Sequence, residues 1–500
     1  MYIMSLKNMH FRCKEGATGD TMPFYHGGKY HMFVLTSTDG SVVKRNGDAW
    51  SHLVSDDFVH WEFVSKVVEK SDIPGTPNKD GAWTGSVAEK DGVFHMYYTA
   101  YNEDQKRQTI CHGTSKDMLT WEFDESPILM GDGIKYETID FRDPDVFYNE
   151  DDGCWWMLIC ARLNHGPSFK RGCIALAKSD DLYNWTMQDE PLYAPGVAHC
   201  MECPHMFKLG DKWYIFFSRY CHDQKTHYRV SDSMYGPWKV PYPDAVNTRC
   251  YYAVKSLFDG EKRLGVAWVF DRLNENDNGS FQWGGDLGMP YEFVQQPDGT
   301  LNFKVLEAAV DAYKDKEIPY KLEEGLLGSF VDDNGVITGG DEGYTYAKIA
   351  HEDGPVMVEM DIEVDDNVEE CGIIFRSRDD LNKGYRLGIR PDEDTAIIAL
   401  WPERMDPNWD NMLTTLNEES IGYPELSTYG YPPVRAQMGL RGTKVFNIKL
   451  FLTNSLVEAN VNGKVAMAFR QYDKADGMIG IYTQAGKATF KNIHIYQPVD

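Results

Sequence analysis

Short runs that alternate apolar and polar residues recur along the whole chain, separated by Gly-, Asn- and Asp-bearing turns, and this period-two pattern predicts β-strands almost throughout. Up to about residue 305 the runs form hairpins. TGDTMPFYHGGKYHMFVLT from Thr18, FRDPDVFYNEDDGCWWMLICA from Phe141 and MECPHMFKLGDKWYIFFS from Met201 each have an acid at the head: Asp20, Asp143 and Glu202. Four and five positions later comes a hydrophobic or aromatic pair (Phe24/Tyr25, Phe147/Tyr148, Met206/Phe207), then a polar turn and a second aromatic-rich run. Hairpins from Trp83 and from Tyr251 have the same form without the acid.

A second landmark keeps time with the first. Ser-x-Asp-x-x-x-Trp occurs at Ser55 to Trp61, Ser115 to Trp121 and Ser179 to Trp185, with a looser copy from Ser231 to Trp238. Asp20 precedes its signature by 35 residues, Asp143 by 36 and Glu202 by 29, so the three acids are read as equivalent points of one repeat. Five such units predict a five-bladed β-propeller with the first strand of each blade innermost. A β-sandwich with coincidental Ser-Asp-Trp turns is the competing architecture, but it has no reason to keep acids in phase.

Beyond the repeat, a charged connector with a short helix from Leu306 is expected over 306–325. From 326 to 500 the alternation continues in PVMVEMDIEV, FNIKLFL, SLVEANVNG and GMIGIYT, with turn residues such as Asn462-Gly463, and predicts an antiparallel β-sandwich. The expected domains are thus a propeller over 1–305, a linker and a sandwich, in an all-β chain.

Charge narrows the partners. A formal net charge of −27 over 500 residues argues against nucleic acid and anionic membrane surfaces, and favours a neutral ligand. The first residues, MYIMSLKNMHFRCKEG, lack the basic-then-apolar order of a signal peptide, and no run approaches the length of a membrane span. Ten scattered cysteines read as reduced thiols, which agrees with a cytoplasmic address. His199, Cys200, Cys203 and His205 flank Glu202, but no second Cys-x-x-Cys exists and strand alternation keeps four neighbours from converging. They are read as packing around or tuning Glu202, with Cys203 counted among the side chains that line the sugar site. No metal and no cofactor are expected.

Phased carboxylates around one axis suit acid-assisted sugar chemistry. The motifs that carry them resemble glycoside hydrolase family 32, the invertase, fructanase and levanase group. FRDPD at Phe141 to Asp145 resembles its RDP motif, MECP at Met201 to Pro204 its EC motif, and WTGS at Trp83 to Ser86 its W-S-G-S motif. AWSHLVSDDFVHW at Ala49 to Trp61, FQWGGDLGMPYEF at Phe281 to Phe293 and LFLTNSLVEANVNG at Leu450 to Gly463 continue the resemblance over nearly the whole chain. The first motif departs from the usual W-x-N-D-P-N-G: here it reads ATGDTMPF, which keeps Asp20 but has Gly19 before it and Thr21-Met22 after it.

The resemblance implies a retaining β-fructofuranosidase-like glycosidase with Asp20 as nucleophile, Glu202 as general acid/base and Asp143 as transition-state stabiliser. Sucrose or short fructo-oligosaccharides are the expected substrates. The altered first motif keeps open another furanosidase or a transglycosylase acting on an unusual disaccharide, and a non-catalytic carbohydrate-binding protein is the non-enzymatic alternative. Trp83 and Trp50 are candidates for the aromatic wall of the sugar site, and Ser86 and Arg142 for hydrogen-bond donors to the glycone. The less polar surroundings of Glu202, between Met201 and Cys203-Pro204, favour the protonated acid.

Overall fold

The structure is a computed structural model, and it describes residues 9–14, 16–37, 47–277, 279–323, 328–340, 343–378, 384–401, 434–473 and 476–498. Residues 1–8, part of the stretch scanned for a leader, and 324–325 of the expected linker lie outside the described residues. The chain divides into two compact units, Met1–Asp271 with Gln282–Ala309, and Arg272–Phe281 with Val310–Asp500.

The first unit is a five-bladed β-propeller. The innermost strands are Thr18–His26, Gly81–Lys90, Tyr136–Asn149, Glu202–Leu209 and Tyr251–Phe258, each paired antiparallel with the next strand in sequence. The strand Phe281–Leu287 lies between the second strand of the last blade and the inner strand of the first, with Thr18 opposite Gly285, so the ring closes through hydrogen bonds. Apolar faces are buried between neighbouring blades: Phe33, Trp50 and Met96 join the first two, and Trp156, Ile174 and Phe217 the third and fourth. Because each blade covers the next, period-two alternation suffices to build the whole ring.

The Ser-x-Asp-x-x-x-Trp signature is a turn that ends the third strand of a blade. At the first copy Ser55 Oγ donates to Asp57 Oδ1 (2.9 Å), and the same carboxylate oxygen accepts the amides of Val59 (2.9 Å) and His60 (2.8 Å). The arrangement repeats at Ser115/Asp117 and Ser179/Asp181, and each turn is rounded by a left-handed residue: Phe58, Met118 and Leu182. Those acids are structural, since a carboxylate that accepts several backbone amides fixes the local chain path.

The second unit is a β-sandwich of an eight-stranded and a six-stranded sheet, antiparallel in every pairing. One helical turn and a half, Glu307–Asp311, contains the division between Ala309 and Val310. Alternation is clearest in strands that bury one face, as where Val358, Met360 and Ile362 are fully buried while Glu359 and Asp361 are not; Glu370–Ser377, Leu456–Val461 and Val465–Arg470 are buried on both faces.

Every inner propeller strand is interrupted by a bulge near its start. The pairing register slips between Thr18 and Thr21, Trp83 and Gly85, Arg142 and Asp145, Glu202 and His205, and Tyr252 and Lys255. Three of the bulges contain a non-glycine residue in the left-handed region: Asp143 (φ 57°), Cys203 (φ 48°) and Ala253 (φ 62°). Such conformations cost roughly 1–3 kcal/mol each and persist where surrounding structure enforces them, usually at functional sites.

Candidate active site

The bulges correct the reading that the three acids are equivalent. Relative to the slip in register, Glu202 is the last regular residue, Asp143 the first bulged one and Asp20 the second. In unbroken strands these one-residue offsets would send neighbouring side chains to opposite faces. The bulge cancels the offset and aims all three at the same mouth of the channel.

The contacts bind them into one cluster. Cys203 Sγ stands 3.5 Å from Asp20 Oδ2 and 3.7 Å from Asp143 Oδ2, and the Cys203 amide donates to Asp143 Oδ2 (2.9 Å). Burial and the two carboxylates push the thiol well above its usual range, so it is a neutral S–H donor to both acids. Arg142 donates to Glu202 Oε1 (2.9 Å), while its Nε lies 3.7 Å from Asp143 Oδ2 and its Nη1 bonds Asp140 (2.5 Å). In an unbroken strand Arg142 and Asp143 would point to opposite faces; because Asp143 is bulged, the Arg142 side chain reaches both Glu202 and Asp143.

Asp20 accepts from Thr84 Oγ1 (2.5 Å) and from Trp268 Nε1 (2.7 Å), and Glu202 accepts from the hydroxyl of Tyr252. Thr99 Oγ1 accepts the Asp143 amide (2.8 Å) and donates to the Thr84 carbonyl (2.8 Å), which ties two blades together behind the acids. Thr84, Tyr252 and Trp268 come from the second and fifth blades, whose hairpins have no acid at the head, and were therefore passed over. The available signal was positional: Thr84 lies in the WTGS stretch at the start of its hairpin and Tyr252 is the second residue of the fifth hairpin, places that correspond to the acid-bearing starts of the other blades.

All three carboxyls are held above their ordinary range, in each case chiefly by burial. For Asp20 the charge of Glu202 adds to this, and the donors Thr84, Trp268 and Cys203 oppose it. For Glu202 and for Asp143 the Arg142 cation opposes burial, while Asp143 raises Glu202 and Asp20 raises Asp143. The three carboxyls raise one another in turn and titrate as a group. Donors that stabilise the anion surround Asp20, whose side chain is 9% exposed as a residue, whereas Glu202 is the most open of the three.

The remaining predicted residues separate. Trp83 is partly exposed and stacks on Tyr101 with ring centroids 4.5 Å apart. Trp50 is 0% exposed: its indole lies in the core between the first two blades and donates to the Trp83 carbonyl (3.0 Å), so it supports the wall from behind instead of forming it. Trp50→Ala should cost about 3–5 kcal/mol of stability, read from denaturant unfolding. Ser86 Oγ accepts the Val146 amide (2.9 Å) and lines a different cavity, whose wall contains none of the three acids. Of the residues around Glu202, Cys200 lies 3.1 Å from Arg142 Nη2, while His205 turns away to Asp145 (3.0 Å). No grouping of three or more metal-binding side chains occurs among the described residues.

The departure at Gly19 has a physical cause. A β-carbon there would fall 2.2 Å from the indole of Trp283, which in turn lies 5.7 Å from the Trp268 ring that donates to Asp20. An indole takes the space that a side chain at position 19 would fill.

Residues 10–302 match the glycosyl hydrolases family 32 N-terminal domain. The chain belongs to glycoside hydrolase family 32. It is therefore a glycosidase acting on O-glycosyl bonds with retention, in a family-32 propeller followed by a β-sandwich. Among curated relatives, raffinose invertase of Escherichia coli is 25% identical over 488 residues, 93% of this chain and 89% of that protein. Sucrose-6-phosphate hydrolase of Escherichia coli is 29% identical over 282 residues, 52% of this chain, and the match spans 56% of the relative's length. The solved exo-inulinase of Aspergillus awamori superposes with a TM-score of 0.70 at 16% identity, over 99% of this chain and 98% of that one.

With the family in hand, Gly19 and Trp283 become the local variation on its first motif. Gly19→Asn should displace Trp283, loosen the Trp268 hydrogen bond to Asp20 and lower kcat/KM at least tenfold, with a red shift in tryptophan emission. Unchanged kinetics and emission would show that the indole is not fixed by the missing side chain. Among the described residues no helix is long and apolar enough to cross a membrane.

Proposed function

We propose that this family-32 chain is a cytoplasmic, exo-acting β-fructofuranosidase that releases terminal fructosyl units from sucrose or short fructo-oligosaccharides. Asp20 is the nucleophile, Glu202 the general acid and then base, and Asp143 the clamp on the sugar hydroxyls. The observation that carries this reading is the convergence of three carboxyls at the strand bulges, Asp20 and Asp143 joined through the Cys203 thiol and Asp143 and Glu202 through the Arg142 guanidinium. Ten free cysteines support the reducing compartment.

The chemistry follows from the surroundings. Thr84 and Trp268 fix both oxygens of Asp20, so one of them faces the anomeric carbon without reorganisation when the covalent fructosyl-enzyme forms. Glu202, kept protonated by burial and by Asp143, protonates the departing oxygen, and Arg142 and Tyr252 steady the carboxylate that results. Water then enters, loses its proton to Glu202 and releases fructose with the original configuration. Proton NMR of the product formed from sucrose, inulobiose, levanbiose and an arabinofuranoside tests substrate and stereochemistry together. Retained fructose from the first three is expected; an inverted product would remove the nucleophile role from Asp20.

Trp283 beside Asp20 favours one second reading, transfer to or from an unusual fructose disaccharide, since an indole there reshapes the glycone pocket. The same spectra report it as new fructosyl linkages.

Arg142→Gln should move the basic limb of the kcat/KM profile to higher pH. The Arg142 cation holds the Glu202 carboxyl down, so without it the proton is kept to higher pH while turnover falls. A lower rate with an unmoved basic limb would mean that Arg142 does not act on Glu202.

A further inference from the structure

The pairs four and five residues beyond the acids play no part in that chemistry. At about 3.3 Å per residue they lie roughly 15 Å further along the inner strands. There Phe24, Tyr25, Tyr148, Trp155, Phe258 and Arg263 contribute to the wall of a second cavity of about 720 Å³, at the far end of the propeller channel. That volume is in the range of small-molecule sites. Tyr148 and Phe258 are 49% and 50% exposed, so flat aromatic faces stand open on its rim.

A polar relay separates this cavity from the acids. Lys255 Nζ lies 3.2 Å from Asp145 Oδ1 and donates to the Gly85 carbonyl (3.0 Å). The Ser256 amide donates to His205 Nε2 (3.3 Å), which makes that nitrogen an acceptor and leaves Nδ1–H to donate to Asp145 Oδ2 (3.0 Å). Ser256 Oγ bonds the same Nε2 (2.8 Å) and accepts from Arg263 Nη1 (3.0 Å). Asp145 is thus balanced by Lys255, and His205, pushed below its usual range by burial, is neutral.

One cation is left over. Among the described residues the Arg263 guanidinium, which lies over the Phe207 ring at 4.1 Å, has a single hydrogen bond and no carboxylate within ion-pair distance, and its buried Nε has no partner. Burial pulls this cation down to about 9. Among the acids of the wall, Asp151 pairs with Lys208, Glu89 accepts the Gly92 amide, and Glu150 is exposed to solvent. A half-buried, under-bonded guanidinium invites an oxyanion that takes two of its N–H groups, and open aromatic faces beside it suit a sugar ring.

We propose that the far mouth of the propeller channel is a second ligand site that binds a monosaccharide phosphate, its phosphate on Arg263 and its ring against Tyr148 and Phe258. The net charge of the chain and the wall's own acids, Glu89, Glu150 and Asp151, disfavour anions at long range, but exposed acids are screened within about 10 Å by salt, and the guanidinium of Arg263 is the group that the phosphate meets directly. The site does not depend on the roles given to the three acids.

Isothermal titration with glucose 6-phosphate, inorganic phosphate and glucose tests it on the full chain. Saturable binding is expected for glucose 6-phosphate, weaker binding for phosphate and none for glucose. Arg263→Leu should weaken glucose 6-phosphate about tenfold or more, and Arg263→Lys should recover part of that loss. Phe258→Ala, on the exposed rim, should weaken glucose 6-phosphate and leave phosphate unchanged. Asp20→Asn should bind glucose 6-phosphate as the unsubstituted chain does, so loss of hydrolysis and loss of this site are read separately. Absence of millimolar-range binding, or binding that survives Arg263→Leu in a variant with unaltered melting, would overturn the proposal.

Discussion

Asp20→Asn is expected to lower turnover of sucrose by several orders of magnitude while the propeller remains folded. An amide is too weak a nucleophile to form the fructosyl-enzyme, and it also places an N–H where Thr84 and Trp268 both donate, so one of those hydrogen bonds is lost as well. Steady-state rates on sucrose and on an activated aryl fructoside should fall together, because bond formation to Asp20 precedes product release for both. Wild-type-like rates in the purified variant would remove the assignment. The same substitution should raise the melting temperature at neutral pH. A carboxyl held above its ordinary value binds its proton more tightly when folded, so its contribution to stability is present below the unfolded value and is lost as pH rises through the folded one. Asn avoids that loss, and the gain should disappear below about pH 4, where the unfolded carboxyl is protonated too. Melting curves from pH 3 to 8 measure this.

Glu202→Gln should also be severe on sucrose, but its loss should depend on the leaving group. A sugar alkoxide needs the proton that Glu202 supplies, whereas an activated phenolate leaves without it, so the first half-reaction on an aryl fructoside should survive far better than hydrolysis of sucrose. The second half-reaction then lacks its base, and the fructosyl-enzyme should accumulate. Azide, which needs no deprotonation, should restore turnover and yield a β-fructosyl azide. Equal losses on both substrates with no azide rescue would mean that Glu202 positions the sugar and does not transfer the proton. Tyr252→Phe separates the two roles, because it removes a hydrogen bond to the carboxylate while leaving the carboxyl in place.

Period-two alternation and the repeated Ser-Asp-Trp turn were enough to read the five blades and the sandwich, because both architectures are built of short antiparallel strands rich in β-branched and aromatic residues and signal each turn locally. The acids were visible for the same reason: Asp20, Asp143 and Glu202 recur near strand starts, and family 32 motifs surround them. What alternation cannot show is where a strand breaks its own rule. The bulges at Gly19-Asp20, Thr84, Asp143-Pro144, Cys203-Pro204 and Ala253-Val254 are register events between two strands, so they are invisible in either strand alone. They decided that Glu202, Asp143 and Asp20 meet despite occupying successive positions, that Arg142 reaches two carboxyls, and that Thr84, Trp268 and Tyr252 from acid-free blades complete the site. Trp50 and Ser86 show the reverse. A Trp or Ser in the right motif has no preferred face until neighbouring blades pack, and here one indole is enclosed while one hydroxyl braces the next blade. Local pattern is a property of one strand and survives in the sequence, whereas convergence is a property of five strands around an axis and exists only once the ring has closed.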